Sequence, residues 1–186
     1  MESKALLLDR DGVINIDHGY VHKVRDFEFT RGIFNLSRLA HAMEYKIIVI
    51  TNQAGIARGL YTEQQFHDLT AWMCRKFARN GAPITKVYYS PCHPTEGIGL
   101  YKKDDFSRKP NPGMILQAKS EYNLNLDQSV LIGDNPTDIK AGLAAGVRCN
   151  LLFGEAIADD IEKTKYRRIK TLEQAIDILG EKFRFL

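Results

Sequence analysis

Two carboxylates, Asp9 and Asp11, follow directly on the apolar run Ala5-Leu-Leu-Leu8 and precede Gly12. Strand side chains alternate, so positions two apart project the same way from a strand end. Like charges held this close repel and need a shared proton or a cation. A magnesium ion bound by carboxylates together with a substrate phosphate meets that need. Three further stretches carry related chemistry. Ile50-Thr-Asn-Gln53 ends a second apolar run with a hydroxyl, and Gly55 follows where backbone N–H groups could hold phosphate oxygens. Arg108-Lys109-Pro110 sets two cations just ahead of a helix start at Asn111, and helix N-termini attract anions. Leu131-Ile-Gly-Asp134 ends another apolar run in an acid, with Asp138 one helical turn on. Taken singly, each has a plainer reading: solvated turn acids, a strand-ending turn, an exposed basic pair, a helix cap.

Such groups work together only if the fold brings strand ends to one place. Short apolar or β-branched runs predict buried strands at 5–8, 46–50, 84–89, 130–133 and 147–152, with a last one at 168–169. Ile33, Leu36, Leu39, Ala40 and Met43 recur at helical spacing and predict a helix over 32–43. Thr62 and Gln65 form a capping box for a helix to about 79. Asn111-Pro112 and Asn135-Pro136 each read as a cap followed by a first-turn proline, opening helices to about 122 and 145. Thr171 and Gln174 suggest a second capping box for the last helix. Alternating β and α elements predict an α/β, Rossmann-like three-layer sandwich with a mainly parallel sheet. The segments 12–30 and 90–110 lack periodicity, and both leave carboxyl ends of strands, where such folds bind ligands.

The chain has 186 residues, which fits one domain spanning 1–186. Its 44% hydrophobic content suffices for a sizeable core. The formal charge of +3 is small and its cations are scattered, which argues against a nucleic-acid partner. No apolar run approaches the roughly 20 residues that span a bilayer, so no membrane partner is expected. The N-terminal residues lack a signal-peptide pattern. Cys74, Cys92 and Cys149 are too few for a disulfide framework, which points to a reduced, cytoplasmic setting. No long apolar stripe is left over, so a monomer is expected.

In chain order, Asp-x-Asp, then Thr51, then Lys109 before a helix, then Gly133-Asp134 with Asp138 resembles the haloacid-dehalogenase-like phosphohydrolases over about residues 6–146. Asp9-Arg-Asp-Gly12, Asp17-His-Gly-Tyr-Val-His22, Asn52-Gln-Ala-Gly-Ile-Ala-Arg-Gly59 and Arg108-Lys-Pro-Asn-Pro-Gly-Met114 look more closely like the D-glycero-D-manno-heptose 1,7-bisphosphate 7-phosphatases. The histidinol-phosphate phosphatases share the catalytic motifs, and the 17–22 stretch favours the heptose enzymes over them. A degenerate binding subunit would be expected to have lost part of the set.

The resemblance implies a capless fold and a Mg²⁺-dependent phosphomonoesterase making nucleotide-activated heptose for lipopolysaccharide or capsule. Asp9 is then the nucleophile that forms an aspartyl-phosphate. Asp11 is the general acid and base. Thr51 and Lys109 bind phosphoryl oxygens. Mg²⁺ is held by Asp9, the Asp11 backbone carbonyl and Asp134. Arg108 recognises the sugar phosphate. Asp17, His18, Gly19 and Tyr20 form a flap over the sugar, and Asn52, Gln53, Ala54 and Asn135 complete the pocket.

One departure stands out. Relatives carry a zinc loop after the third strand, and Ser90, Cys92, Asp105 and Ser107 occupy the positions of its ligands. Structural zinc sites take four nitrogen or sulfur ligands, so none is expected here. Leu100, Tyr101 and Phe106 are candidates to order the loop by packing and hydrogen bonds instead.

Overall fold

The computed structural model describes residues 2–183. Its strands are β1 (Lys4–Leu8), β2 (Tyr45–Asn52), β3 (Ile84–Ser90), β4 (Val130–Gly133), β5 (Cys149–Phe153) and β6 (Arg167–Ile169). They form one sheet in the order β3-β2-β1-β4-β5-β6. Every neighbouring pair is parallel, so the sheet is wholly rather than mainly parallel. The helices are α1 (Ile33–Ala42), α2 (Ala54–Ala57), α3 (Glu63–Arg79), α4 (Gly113–Tyr122), α5 (Pro136–Ala145) and α6 (Leu172–Phe183).

Strand alternation splits the core into two layers. Leu6 and Leu8 join Ile47, Val49, Val130 and Ile132 beneath α1, α3 and α6. Ala5 and Leu7 join Ile48, Ile50 and Leu131 beneath α4 and α5. Leu6, Leu7 and Leu8 are wholly buried, each worth about 2 kcal/mol in transfer free energy. That burial fixes the strand from which Asp9 and Asp11 emerge. The strand order reverses direction between β1 and β4, the switch point where open α/β sheets leave a crevice. No helix among the described residues is long and apolar enough to cross a membrane.

The Thr62 capping box forms as expected, with the side-chain oxygen accepting from Gln65 N. Asn135 caps α5, with Pro136 in the first turn. At the last helix Gln174 reaches back to Lys170 N at 2.6 Å. The expected cap at Asn111 is corrected: α4 begins at Gly113, and Pro112 occupies the N-cap position. The Gly113 N–H instead bonds Phe106 O at 3.1 Å, which ties it into the preceding loop. α2 was not foreseen from the sequence. It is a single turn, and a Cβ at its Gly55 would lie 2.1 Å from the Tyr61 ring.

Candidate active site

Asp9 leaves the end of β1, and its N–H bonds Ile132 O of β4 at 3.0 Å, which sets it in the crevice. Lys109 reaches the same point from the loop after β3. Its Nζ lies 2.8 Å from Asp9 Oδ1 and 2.5 Å from Asp138 Oδ1, and donates to Ile50 O at 3.0 Å. Asn52, at the end of β2, grips the Lys109 backbone with both ends of its amide. Its Oδ1 accepts Lys109 N and its Nδ2 donates to Lys109 O, each at 3.0 Å. The lysine is thus fixed at both backbone and head.

Asp134 follows β4 and packs against Gly12. A Cβ at Gly12, whose φ is +85°, would sit 2.0 Å from Asp134 Oδ2, so only glycine lets the acids approach. Gly133 does the same for Asp138, with a hypothetical Cβ 2.1 Å from the Asp138 Cβ. Oxygens of Asp9, Asp134 and Asp138 lie within 4.8 Å of one another. Burial first, then Asp138, push the Asp134 carboxyl up to about 6. Burial and Asp138 also raise Asp9 well above the ordinary carboxylate range, with Lys109 opposing them. For Lys109, burial works against the charge, but Asp138 and Asp9 outweigh it and hold the ammonium above its ordinary value.

Three clustered acids meet one ammonium here, so the cluster carries excess negative charge. Each Asp138 oxygen already has a partner, one on Lys109 and the other on Asn135 N at 3.0 Å. Asp9 Oδ1 receives Lys109 and Arg10 N, while no hydrogen bond engages its Oδ2 among the described residues. Hard, partly open oxygens with unbalanced charge fit a small divalent cation.

A cleft of about 280 Å³ opens over these groups, lined by Asp9, Asp11, Asp17, Asn52, Arg108, Lys109, Asp134, Asn135 and Thr137. Of the residues anticipated for the substrate, Asp17, Asn52, Arg108 and Asn135 therefore face it. His18, Gly19 and Tyr20 instead line a neighbouring hollow of about 510 Å³ with residues up to Glu28. His22 stacks on Tyr61 with ring centroids 5.0 Å apart, which draws this stretch toward the α2–α3 connection. Gln53 is buried rather than pocket-facing, because its amide bonds Asp11 Oδ2 at 3.1 Å, Thr51 Oγ1 at 2.8 Å and the Tyr61 hydroxyl at 2.6 Å. Ala54 starts α2 and is not among the cleft's lining residues. Thr51 is buried, accepts from Gln53, and is likewise not among the cleft's lining residues.

Three participants escaped the sequence reading. Asp138 was noted only for its spacing, Thr137 lay inside a helix start, and Arg10 sat unremarked between the two acids. For Arg10 the available signal is its place between two acids that end a buried strand.

The loop after β3 is held by Asp105. Its Oδ1 accepts Ser107 N at 2.9 Å and Ser107 Oγ at 2.6 Å, and Lys103 Nζ lies 2.7 Å from Oδ2. These partners hold the Asp105 carboxyl well below the usual carboxylate range. Cys92 Sγ points at Asp105 Oδ2 across 3.7 Å, and burial followed by that acid raises the thiol. Ser90 is buried beside the chain's turn into the loop. The expected packing role of Leu100 and Phe106 is corrected: they are 91% and 63% exposed. Tyr101 does contribute, through a 2.6 Å bond from its hydroxyl to Glu63. Polar groups in a short loop can satisfy one another locally, while Cys92 and Tyr101 are the loop side chains that reach buried neighbours.

A family model for HAD-hydrolase-like proteins matches residues 106–174. The D-glycero-alpha-D-manno-heptose-1,7-bisphosphate 7-phosphatase of Burkholderia mallei is 53% identical over 153 residues, covering 82% of this chain and 81% of that protein. The D-glycero-beta-D-manno-heptose-1,7-bisphosphate 7-phosphatase of Vibrio cholerae is 46% identical over 167 residues, covering 85% and 90%. Among solved structures, the D,D-heptose 1,7-bisphosphate phosphatase of B. bronchiseptica, complexed with magnesium and phosphate, superposes with a TM-score of 0.82 at 24% identity. That match covers 96% of this chain and 99% of the other, and it shows the shared fold. With relatives this similar over most of their length, the chain belongs to the heptose-1,7-bisphosphate 7-phosphatase family of haloacid-dehalogenase-like hydrolases.

Proposed function

We propose that this protein removes the 7-phosphate of D-glycero-D-manno-heptose 1,7-bisphosphate through an aspartyl-phosphate intermediate. The observation that carries the reading is the convergence of Asp9, Lys109 and Asp134 at the β1–β4 switch point, under an open cleft. Family membership supplies the substrate class.

In the first step a carboxylate oxygen of Asp9 attacks phosphorus. A new O–P bond forms, the bond to the sugar's C7 oxygen breaks, and Asp11 delivers its proton to that oxygen. In the second step water attacks the aspartyl-phosphate and Asp11 takes its proton. Inorganic phosphate leaves and the Asp9 carboxylate is restored. Lys109 lies against Asp9, where the ammonium meets charge building on the transferring oxygens. Thr51 and the N–H groups after it bind further phosphoryl oxygens. Arg108, with Nη1 anchored to Cys92 O at 3.0 Å, faces the cleft to receive the sugar phosphate. Asp17, Asn52 and Asn135 contact the substrate from the rim, while His18, Gly19 and Tyr20 form a flap beside it.

The acid cluster fits Mg²⁺ held by Asp9, Asp134 and the Asp11 backbone carbonyl. A bound Mg²⁺ neutralises charge between the carboxylates and the phosphate dianion. The protein is further proposed to act as a cytoplasmic monomer.

The test is phosphate release measured side by side on the α and β anomers of heptose 1,7-bisphosphate and on histidinol phosphate. One heptose anomer is expected to exceed histidinol phosphate in kcat/KM by about 10²-fold or more. Preference for histidinol phosphate would overturn the substrate assignment.

The same reading includes a loop at 90–110 that orders itself without zinc. The support is the Asp105 network, in which Ser107 and Lys103 occupy the carboxylate. Elemental analysis of the purified protein is expected to find zinc far below one equivalent per chain. An equimolar content, retained through chelator treatment, would contradict this.

A further inference from the structure

Arg10 is 1% exposed, and it stands among the largest fully buried side chains of the protein. A buried guanidinium is costly, and an apolar pair of the same volume often stabilises a fold at least as well. Its partners show what it does instead. Nε donates to Asp11 Oδ2 at 3.0 Å, and Nη2 donates to Oδ1 at 2.9 Å and Oδ2 at 2.7 Å. The same Nη2 donates to Val21 O at 2.7 Å, in the stretch that continues from the flap. The guanidinium carbon lies 5.8 Å from the centroid of the Phe66 ring, which backs the plane. Asn15 Nδ2 and Gln53 Nε2 complete the ring of donors on Asp11, each at 3.1 Å.

We propose that Arg10 is a positioning residue for the proton transfer at Asp11, and that it ties this carboxylate to the flap through Val21. This rests on the reading of Asp11 as general acid and base. A carboxylate at a strand end has two free torsions, and proton transfer works only within hydrogen-bond reach of the leaving oxygen. A planar two-pronged donor removes that freedom, which a lysine's single rotatable head cannot do. Because one Nη2 serves both Asp11 and Val21, displacement of the 17–22 stretch by a bound sugar shifts the grip on the acid. A substrate lacking the sugar makes no such contact.

Two substrates separate this role from a general loss of structure. The C7 oxygen of a heptose phosphate is a poor leaving group and needs the proton. The p-nitrophenolate of p-nitrophenyl phosphate is stable and departs without it. Enzyme in excess over substrate, with release of heptose 1-phosphate or p-nitrophenol as the product followed, reads the first step alone, before aspartyl-phosphate hydrolysis. Arg10→Met is expected to slow single-turnover release from heptose 1,7-bisphosphate by about 10²-fold, the size of a general-acid contribution. Release from p-nitrophenyl phosphate is expected to fall far less. Combined with Asp11→Asn, the Arg10 change is expected to add no further loss, because a residue acting through another is silent once that other is gone. Equal fractional losses on both substrates, or additive losses in the double variant, would overturn the proposal. If Asp11→Asn alone shows no leaving-group bias, the acid assignment itself fails and this inference with it. Should Arg10→Met not fold, Arg10→Lys keeps the buried charge but not the fork, and the same bias is expected of it.

Discussion

Asp9→Asn is expected to lower kcat on heptose 1,7-bisphosphate by on the order of 10⁵-fold, the scale of removing a covalent nucleophile. The amide keeps the shape of the carboxylate but cannot form the acyl-phosphate. The fold is expected to survive, because the 2.5 Å contact between Lys109 and Asp138 remains and one member of a crowded acid cluster loses its charge. A near-unchanged thermal midpoint beside absent phosphate release is the expected pair of observations. Phosphate release at the wild-type rate would remove Asp9 from the chemistry.

Lys109→Met is expected to damage activity and stability together. The ammonium is 3% exposed and is the cation that touches Asp9 and Asp138. Removing one partner of a buried charge pair typically costs about 3–5 kcal/mol, because the other is left uncompensated. Here two acids are left, with Asp134 close by. Urea unfolding in the absence of divalent cations is the measurement, with the midpoint expected to fall at unchanged slope. Adding Asp138→Asn removes one stranded charge, so the double variant is expected to recover part of the lost stability. It is not expected to recover turnover, which should stay about 10³-fold down for want of the ammonium at the phosphoryl group. Full stability in Lys109→Met would show that the acids there are neutral or otherwise compensated.

The layers of the fold were legible because parallel strands buried on both faces read as unbroken apolar runs. Leu6–Leu8 and Ile47–Ile50 are such runs, and both lie in the central strands. Helix starts were legible where the cap is a local bond, as at Thr62 and Asn135. At Asn111 the same sequence cue misled, because Gly113 N is taken by Phe106 O from the loop before it. Local pattern cannot register a competing partner supplied by the turn. The same limit explains Asp138 and Arg10. One is buried only because Lys109 arrives from a distant loop, and the other only because Val21, Phe66 and Asp11 surround it. Residue types at strand ends gave candidates, whereas the partners that occupy them come from packing. The loop at 90–110 was hardest, since Leu100 and Phe106 are exposed while its order comes from polar partners such as Asp105 and Glu63.

The two-handed grip of Asn52 on the Lys109 backbone has a consequence for how such a protein diversifies. The segment from 91 to 107 leaves from β3, which is paired to β2, and returns to a residue clamped by that same β2 strand. Both attachment points are therefore fixed to one rigid neighbour. What lies between them can change its own internal order without moving either attachment point. Lys109 keeps its place through such a change, while Arg108, one residue inside the clamp, moves with the segment. With the roles proposed for Arg108 and Lys109, drift in this segment is expected to retune which sugar phosphate is accepted while leaving Lys109 in register with Asp9.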